Sequence, residues 1–166
     1  MPTSPLKMLL GEFDIEAANT RKMLERFPAE KAEWKPHDKS FSMSALAGHV
    51  ATLPNFLTEI VGKDRMDMKP GDHQPFHPKN TTELLARFDA EANKAREGLA
   101  SLSEADLDRN WAFYYDGTKY IDQPKFEVMR SFYFNHLVHH RGQLTVYYRE
   151  NGVPLPGLYG PSADES

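Results

Sequence analysis

The sequence predicts an all-α protein, a four-helix bundle with long inter-helix loops, and three observations support this fold class. Four segments carry apolar residues at the spacing of one helix face. Two of the connections between them are long and rich in proline, glycine and polar residues, which end helices. The 166 residues are enough to bury one core, and nothing divides the chain, so we expect a single domain over residues 1–166.

The first two helices are bounded by proline and glycine. Residues 5–27 place a stripe of apolar side chains on one face of helix one, and Pro28 ends the pattern. Helix two is predicted from about Ser44 to Gly62, because glycine suits the end of a helix. Pro54 lies inside this helix and has no N–H to donate, so we expect a kink there.

A loop and a capping signal precede helix three. The loop covers residues 63–79 and is rich in proline, glycine, aspartate and histidine. Asn80, followed three positions later by Glu83, resembles a capping box, in which each side chain accepts a hydrogen bond from the other residue's backbone. Apolar residues then recur on one face as far as Leu102, which predicts helix three.

The stretch before helix four leaves two structures open. Between Trp111 and Ile121 the sequence is rich in aromatic residues and contains Asp116-Gly117, a dipeptide that suits a tight turn. A short β-hairpin and a packed loop both fit. Helix four is predicted to begin at Pro124 and to end at Asn151-Gly152.

Composition excludes several classes of partner. The chain carries 20 basic and 24 acidic residues, a formal net charge of -4, and no run of Lys or Arg, so we expect no nucleic-acid partner. No stretch is apolar enough to span a bilayer and the start does not resemble a signal peptide, so we expect a cytoplasmic protein without a membrane partner. There is no cysteine, so any metal must be held by histidine, carboxylate or amide groups.

Three histidines form a candidate metal site. His136 and His140 are four residues apart in helix four, so their side chains project from one face about one turn apart, where two imidazoles can share an ion. His49 lies at the edge of the buried face of helix two, from which it can approach that pair. Three histidines with open positions resemble catalytic zinc sites, since structural sites usually have four protein ligands. Imidazole also suits Ni, Cu or Fe.

The spacing alone fits a second interpretation, in which His136 and His140 are core histidines bonded to their neighbours. No Glu follows His136, so this is not the His-Glu-x-x-His signature of metalloproteases. His139 points away from the apolar stripe, and we expect it at the surface or beside a ligand. The remaining histidines lie in polar loops, where a lone histidine is usually solvated: His37, His73 and His77.

Two segments resemble a known family. The run Asn135-His136-Leu137-Val138-His139-His140-Arg141-Gly142-Gln143-Leu144, with Ser44-Ala45-Leu46-Ala47-Gly48-His49 upstream, resembles the DinB/YfiT-like superfamily. The proline-rich tail from Val153 to Ser162 is similar to the ends of many members. The resemblance spans nearly the whole chain, and its most specific part is the His-x-x-x-His-Arg-Gly-Gln pattern on the last long helix.

This resemblance implies a fold, a metal site and an assembly. Members are four-helix bundles in which one histidine of helix two and two of the last long helix hold a divalent ion. By resemblance the ligands here are His49, His136 and His140, and the ion is Zn, Ni, Fe or Mn. Members often form homodimers, so a homodimer is expected. The family name refers to damage-inducible expression and not to DNA binding.

The superfamily contains thiol-dependent transferases and isomerases, so the resemblance implies a metal-dependent S-transferase that acts on a small molecule. Because the chain has no cysteine, a low-molecular-weight thiol would enter as cosubstrate. The alternatives are a metal-dependent hydrolase and a non-catalytic, metal-stabilised binding module. Gln143 and Tyr133 each lie one turn from a predicted ligand and are candidates for contacting the bound molecule or orienting a histidine. Both also suit purely structural roles, in a hydrogen-bond network or in packing.

Overall fold

The structure is a computed structural model that describes residues 4–165. Its helices are α1 (Pro5–Leu24), α2 (Met43–Thr52), α3 (Pro54–Gly62), α4 (Thr81–Ala100), α5 (Lys125–Val128) and α6 (His136–Glu150). Its strands are β1 (Arg65–Met68), β2 (Asn110–Tyr115) and β3 (Thr118–Pro124). Because α1 packs on α4, α4 on α2 and α3, α2 on α6, and α6 back on α1, the helices enclose a common core. The predicted helical bundle is confirmed in this part of the fold.

Pro54 divides the predicted helix two into α2 and α3. The backbone at Leu53 stays in the right-handed helical region, with φ -54° and ψ -36°. Proline at the next position has no N–H, so the carbonyl of Val50 lacks its usual partner and the helix is interrupted. The kink expected from the sequence is therefore a break between two helices, and α2 alone carries His49.

The cap of α4 differs from the predicted capping box in one bond. The side chain of Asn80 accepts a hydrogen bond from the backbone N–H of Glu83 at 2.8 Å, as expected. The carboxylate of Glu83 instead accepts from the backbone N–H of Lys79 at 2.9 Å. Two free donors at the start of the helix are satisfied in either arrangement, so α4 begins where the sequence predicts.

A three-stranded sheet corrects the expectation of an all-α protein. Strands β2 and β3 form an antiparallel hairpin, which decides between the two structures left open. Its turn places Asp116 and Gly117 at positive φ, 48° and 77°, as a tight two-residue turn requires. Strand β1 pairs in parallel with β2, from Arg65 beside Ala112 onward. The sequence did not reveal β1, because it has four residues and its partner lies far along the chain.

The last long helix is irregular before the predicted ligands. Helix α5 begins at Lys125, one residue later than predicted, because Pro124 still belongs to β3. A π-helical segment, Met129–Asn135, joins α5 to α6. Helix α6 ends at Glu150, and Gly152 follows with φ 70°, as the predicted stop requires. Within residues 4–165, no helix is long and apolar enough to cross a membrane.

Candidate metal centre

Helices α2 and α6 bring the three predicted histidines together. Each of His49, His136 and His140 offers a ring nitrogen, and these three atoms all lie within 4.8 Å of one another. The Nε2 atoms of His49 and His136 are 3.3 Å apart. The ring centres of the three histidines are separated by 4.6 to 5.1 Å. All three side chains are half-buried, so the cluster has an open side.

Hydrogen bonds on the far side of two rings define which nitrogen is free. Nδ1 of His136 lies 3.4 Å from the backbone carbonyl of Phe132, inside the π-helical segment. Nδ1 of His140 lies 2.7 Å from the side-chain oxygen of Gln143. Both oxygens can only accept, so each Nδ1 carries the proton and donates it. Nε2 of each of these two rings then carries a free lone pair, and that of His136 faces Nε2 of His49.

The donor set fits a divalent metal ion. Two lone pairs that converge with a third imidazole nitrogen repel one another unless a cation or a proton lies between them. Ligand nitrogens about 2.0–2.1 Å from a tetrahedral ion are separated by about 3.4 Å, close to the 3.3 Å between Nε2 of His49 and His136. The Phe132 carbonyl and the Gln143 side-chain amide each bond the Nδ1 atom that faces away from the cluster. Bonds of this kind orient histidine ligands. The three histidines would hold the ion, and Gln143 would position His140.

Burial and mutual proximity keep the cluster unprotonated near neutral pH. Burial, followed by the neighbouring His140 and His136, lowers the pKa of His49 from its ordinary 6.5 to about 4. Burial also lowers the pKa of His136, with a further contribution from His140. It lowers the pKa of His140 as well, against the opposing effect of the Gln143 hydrogen bond. Neutral imidazole is the form that binds metal ions, so the site is ready for a ligand at pH 7.

A comparison with models of known protein families identifies the family of this chain. The DinB family model matches residues 1–166. The chain belongs to the DinB family. This confirms the resemblance drawn from the histidine pattern, which lies in the helices that build the cluster.

This DinB-family protein resembles three relatives at low sequence identity. It is 23% identical over 164 residues to YrdA, an uncharacterized protein of Bacillus subtilis (strain 168), covering 96% of this chain and 91% of YrdA. A crystal structure of a DinB-like protein from Bacillus cereus ATCC 10987 superposes with a TM-score of 0.70 at 21% identity, over 90% of this chain and 95% of the other. The DinB-like protein YjoA from Bacillus subtilis gives 0.69 at 21% identity, over 92% and 99%. At these identities the two structures establish the fold alone.

A cleft of about 550 Å³ opens beside His49. Helix α3, strand β1 and the loop that follows it line the cleft, which exposes polar groups such as Asn55 and Gln74 and apolar ones such as Phe56. His73 also lines this cleft, and it is close enough to His49 to contribute to lowering the pKa of that ring. The polar loop around His73 predicted a solvated histidine without a role in the site. The side chain is exposed, but the fold brings it to the candidate site.

Aromatic rings flank the histidines. The ring centre of Phe41 lies 6.1 Å from that of His49 and 6.4 Å from that of His140. Phe56 lies 6.4 Å from His136. These neighbours reduce the access of water to the sides of the imidazoles, which contributes to the lowered pKa values. Neither residue stands out in the sequence, because an aromatic side chain near a helix end more often serves packing than a site.

The two additional candidates lie in different environments. Gln143 bonds Nδ1 of His140, and its amide nitrogen lies 3.1 Å from Nε2 of His139. Its position suits the role of orienting a histidine. Tyr133 lies in the core, where its ring stacks on Phe13 at 5.9 Å and its side chain is 1% exposed. Burial raises the pKa of Tyr133, and the negative charge of Glu16 raises it further. The causes of this shift include none of the three histidines.

Glycine at position 48 allows the loop after β1 to lie against α2. A Cβ added to Gly48 would be 1.8 Å from the carbonyl oxygen of Phe76, far inside contact distance. One turn earlier on α2, the Ser44 hydroxyl donates to the carbonyl of Pro78 at 3.2 Å. The loop therefore rests directly on the helix that carries His49. This contact places His73 and Phe76 along the cleft.

Replacement of Gly48 by alanine is expected to push this loop off α2 and to destabilise the protein by about 1–3 kcal/mol, the usual cost of overpacking. Thermal unfolding measures the loss, and limited proteolysis of residues 69–79 detects the displaced loop. Gly11→Ala is the matched control, because no atom lies within 4 Å of a Cβ there and alanine favours a helix. Equal proteolysis of both variants would contradict the proposed contact.

Without metal, the stability of the protein is expected to fall as the pH drops from about 6.5 towards 4. The unfolded chain takes up a proton on His49 near pH 6.5, whereas the folded protein does so only near pH 4. Through this window the unfolded state binds more protons and is favoured. Because the ring is only half-buried, we expect a loss of about 1–2 kcal/mol from this group.

Urea unfolding in the presence of a chelator, at pH 7 and pH 5, measures this loss. His49→Gln should reduce the difference between the two pH values, since glutamine does not titrate. The same substitution at His77, an exposed residue of the loop, serves as the control and should leave the difference unchanged. A His49→Gln curve that parallels the wild type would show that other groups cause the pH dependence.

Proposed function

We propose that this DinB-family protein binds one divalent ion through His49, His136 and His140 and is a metal-dependent enzyme. The reaction we propose joins a low-molecular-weight thiol to an electrophilic small molecule. The observation that carries the proposal is the convergence of three imidazole nitrogens beside an open cleft. Catalytic zinc sites commonly have three protein ligands and leave one position for water or substrate. Zn, Ni, Fe and Mn are the candidate ions.

A bound divalent ion would supply thiol activation, because it lowers the pKa of a group in its open position. The protein itself supplies the binding site and its orientation. With no cysteine in the chain, the thiol must enter from solvent, and the cleft beside His49 offers a path of suitable size. Gln143 holds the ring of His140, while Phe41 and Phe56 limit water around the imidazoles. His73 and Asn55 are polar groups on the cleft surface that could contact the thiol compound.

The first experiment is elemental analysis of the purified, untagged protein, since a histidine tag binds metal by itself. About one divalent ion per chain is expected, and it should be lost from His49→Ala and His140→Ala. A wild-type protein that holds no metal and takes up none of Zn, Ni, Fe or Mn would refute the proposal at its first step.

The thiol step is tested with the Co(II)-substituted protein and glutathione, cysteine or 2-mercaptoethanol as probes. Binding of a thiol to the ion should change the visible and near-ultraviolet spectrum, and S-methylglutathione, which has no ionisable thiol, should not. Transfer is assayed with 1-chloro-2,4-dinitrobenzene. A carbon–sulfur bond forms, the carbon–chlorine bond breaks, chloride leaves, and the thiol proton passes to buffer. Metal uptake with no spectral response to any thiol and no transfer would contradict the transferase and leave the metal-dependent hydrolase and the non-catalytic binding module.

A further inference from the structure

Arg141 connects α6 to α1 directly beside the candidate ligands. It follows His140 in the chain, yet its side chain points to α1 and the residue is 1% exposed. Its Nη1 donates to the backbone carbonyl of Glu16 at 3.1 Å and to the hydroxyl of Thr20 at 3.0 Å. Its Nη2 donates to the Glu16 carboxylate at 2.5 Å. A planar guanidinium with several fixed acceptors restricts both the position and the rotation of the helix that carries it.

The C-terminal tail covers this ion pair. The hydroxyl of Tyr159 donates to the Glu16 carboxylate, at 2.8 and 2.9 Å from its two oxygens, and accepts a hydrogen bond from Arg141. The ring of Tyr159 lies over the guanidinium, with 5.3 Å between the guanidinium carbon and the ring centre. Tyr159 is 67% exposed, whereas Glu16 is 6% exposed. The tyrosine therefore lies between the pair and solvent, which strengthens the interactions beneath it.

We propose that Arg141, held by Glu16 and Tyr159, is a positioning residue of the metal centre. This inference rests on the proposed metal site. Helix α6 carries two of the three ligands and α2 carries the third, so the nitrogens converge only at one rotation of α6. With a ring nitrogen about 6 Å from the helix axis, a rotation of roughly 10° moves it by about 1 Å. Metal–ligand distances tolerate only about 0.2 Å, so the ion pair between α1 and α6 controls affinity.

The test uses the full-length, untagged protein with two substitutions and one control. Tyr159→Phe removes only the hydroxyl that bonds Arg141 and Glu16. Arg141→Lys keeps the charge and removes the planar fork. The control is Asp164→Asn, which weakens a different anchor of the same tail, since Asp164 accepts from Arg149 and from the backbone N–H of Leu155, both at 2.8 Å. Each protein is measured for Co(II) affinity by competition with a chelating dye, for its Co(II) visible spectrum, and for its melting temperature.

We expect Tyr159→Phe to weaken Co(II) binding by about three- to tenfold and Arg141→Lys by about tenfold or more, within reach of the 10–100-fold typical of groups that orient ligands. Both should shift the Co(II) bands, because the geometry at the ion changes. Asp164→Asn should retain the affinity and spectrum of the wild type, even if its melting temperature falls.

Two results would overturn the inference. One is wild-type Co(II) affinity and spectrum in folded Tyr159→Phe and Arg141→Lys proteins, because the ion pair would then be structural only. The other is an equal effect of Asp164→Asn, since the tail as a whole and not Arg141 would then be responsible. A wild-type protein that takes up neither Co(II) nor any of Zn, Ni, Fe and Mn would refute the proposed function itself, and this inference with it. That outcome is distinct from either result.

Discussion

Replacement of His136 by alanine is expected to abolish the stabilisation of this protein by divalent metal. Nε2 of His136 lies 3.3 Å from Nε2 of His49. Its Nδ1 is hydrogen-bonded to the carbonyl of Phe132 in the π-helical segment. The two histidines left do not complete a three-ligand site. A ligand present at 100 times its Kd adds about 2.7 kcal/mol to the free energy of unfolding. For a protein of this size that is roughly 5–10 °C in melting temperature.

Thermal unfolding with and without a chelator measures the effect. The chelator should lower the melting temperature of metal-loaded wild type and leave that of His136→Ala unchanged. His77→Ala is the control, because this histidine is exposed and is not one of the three that form the cluster. If His136→Ala still responded to metal and chelator as the wild type does, the ion would have to be bound elsewhere.

The helices of the bundle were predictable because their signals are local. Apolar residues recur at helical spacing, and the ends carry residues whose backbone chemistry starts or stops a helix, such as Asn80 and Gly152. The turn at Asp116-Gly117 is also local, since these two residues accept positive φ. Strand β1 was not predictable for the opposite reason. Its four residues become a strand only by pairing with β2, a contact between distant parts of the chain.

The metal cluster was predictable as a set of residues, although metal binding itself stays a prediction. Helical spacing alone places His136 and His140 on one face of the last long helix, and the apolar pattern of helix two places His49 at the edge of its buried face. The π-helical segment could not be foreseen, because it changes the helical phase without a clear residue signal. Its consequence is local: the carbonyl of Phe132 reaches Nδ1 of His136 and fixes the proton on that nitrogen.

The cleft beside the cluster depends on contacts that no short pattern records. His73 lies in a loop whose composition indicates solvation, so its approach to His49 was not predictable. The loop reaches His49 because α2 has no side chain at Gly48 and because Ser44 bonds the carbonyl of Pro78. The partners of Arg141 are equally distant, on α1 and in the tail. Arg141 belongs to the family pattern, but the sequence alone assigns it no role.

Replacement of Glu16 by alanine is expected to destabilise the protein by about 3–5 kcal/mol. The substitution leaves the guanidinium of Arg141, with a side chain 2% exposed, without its charged partner. A buried charge without a partner retains the full cost of leaving water. Chemical denaturation at neutral pH measures the loss. The control is Asp14→Ala, on the same helix, because Asp14 and Arg96 form an exposed pair worth less than about 1 kcal/mol.

The double substitution Glu16→Leu with Arg141→Met separates stability from positioning. Apolar side chains of similar size avoid the cost of burying charge, so most of the stability lost in Glu16→Ala should return. If Arg141 positions α6 as proposed, metal affinity should not return with it, since packed apolar side chains do not fix the rotation of a helix as a planar fork does. A double variant that recovers both stability and wild-type Co(II) affinity would show that any well-packed contact between α1 and α6 suffices. A double variant that recovers stability but not Co(II) affinity would show that the ion pair maintains the geometry of the three histidines.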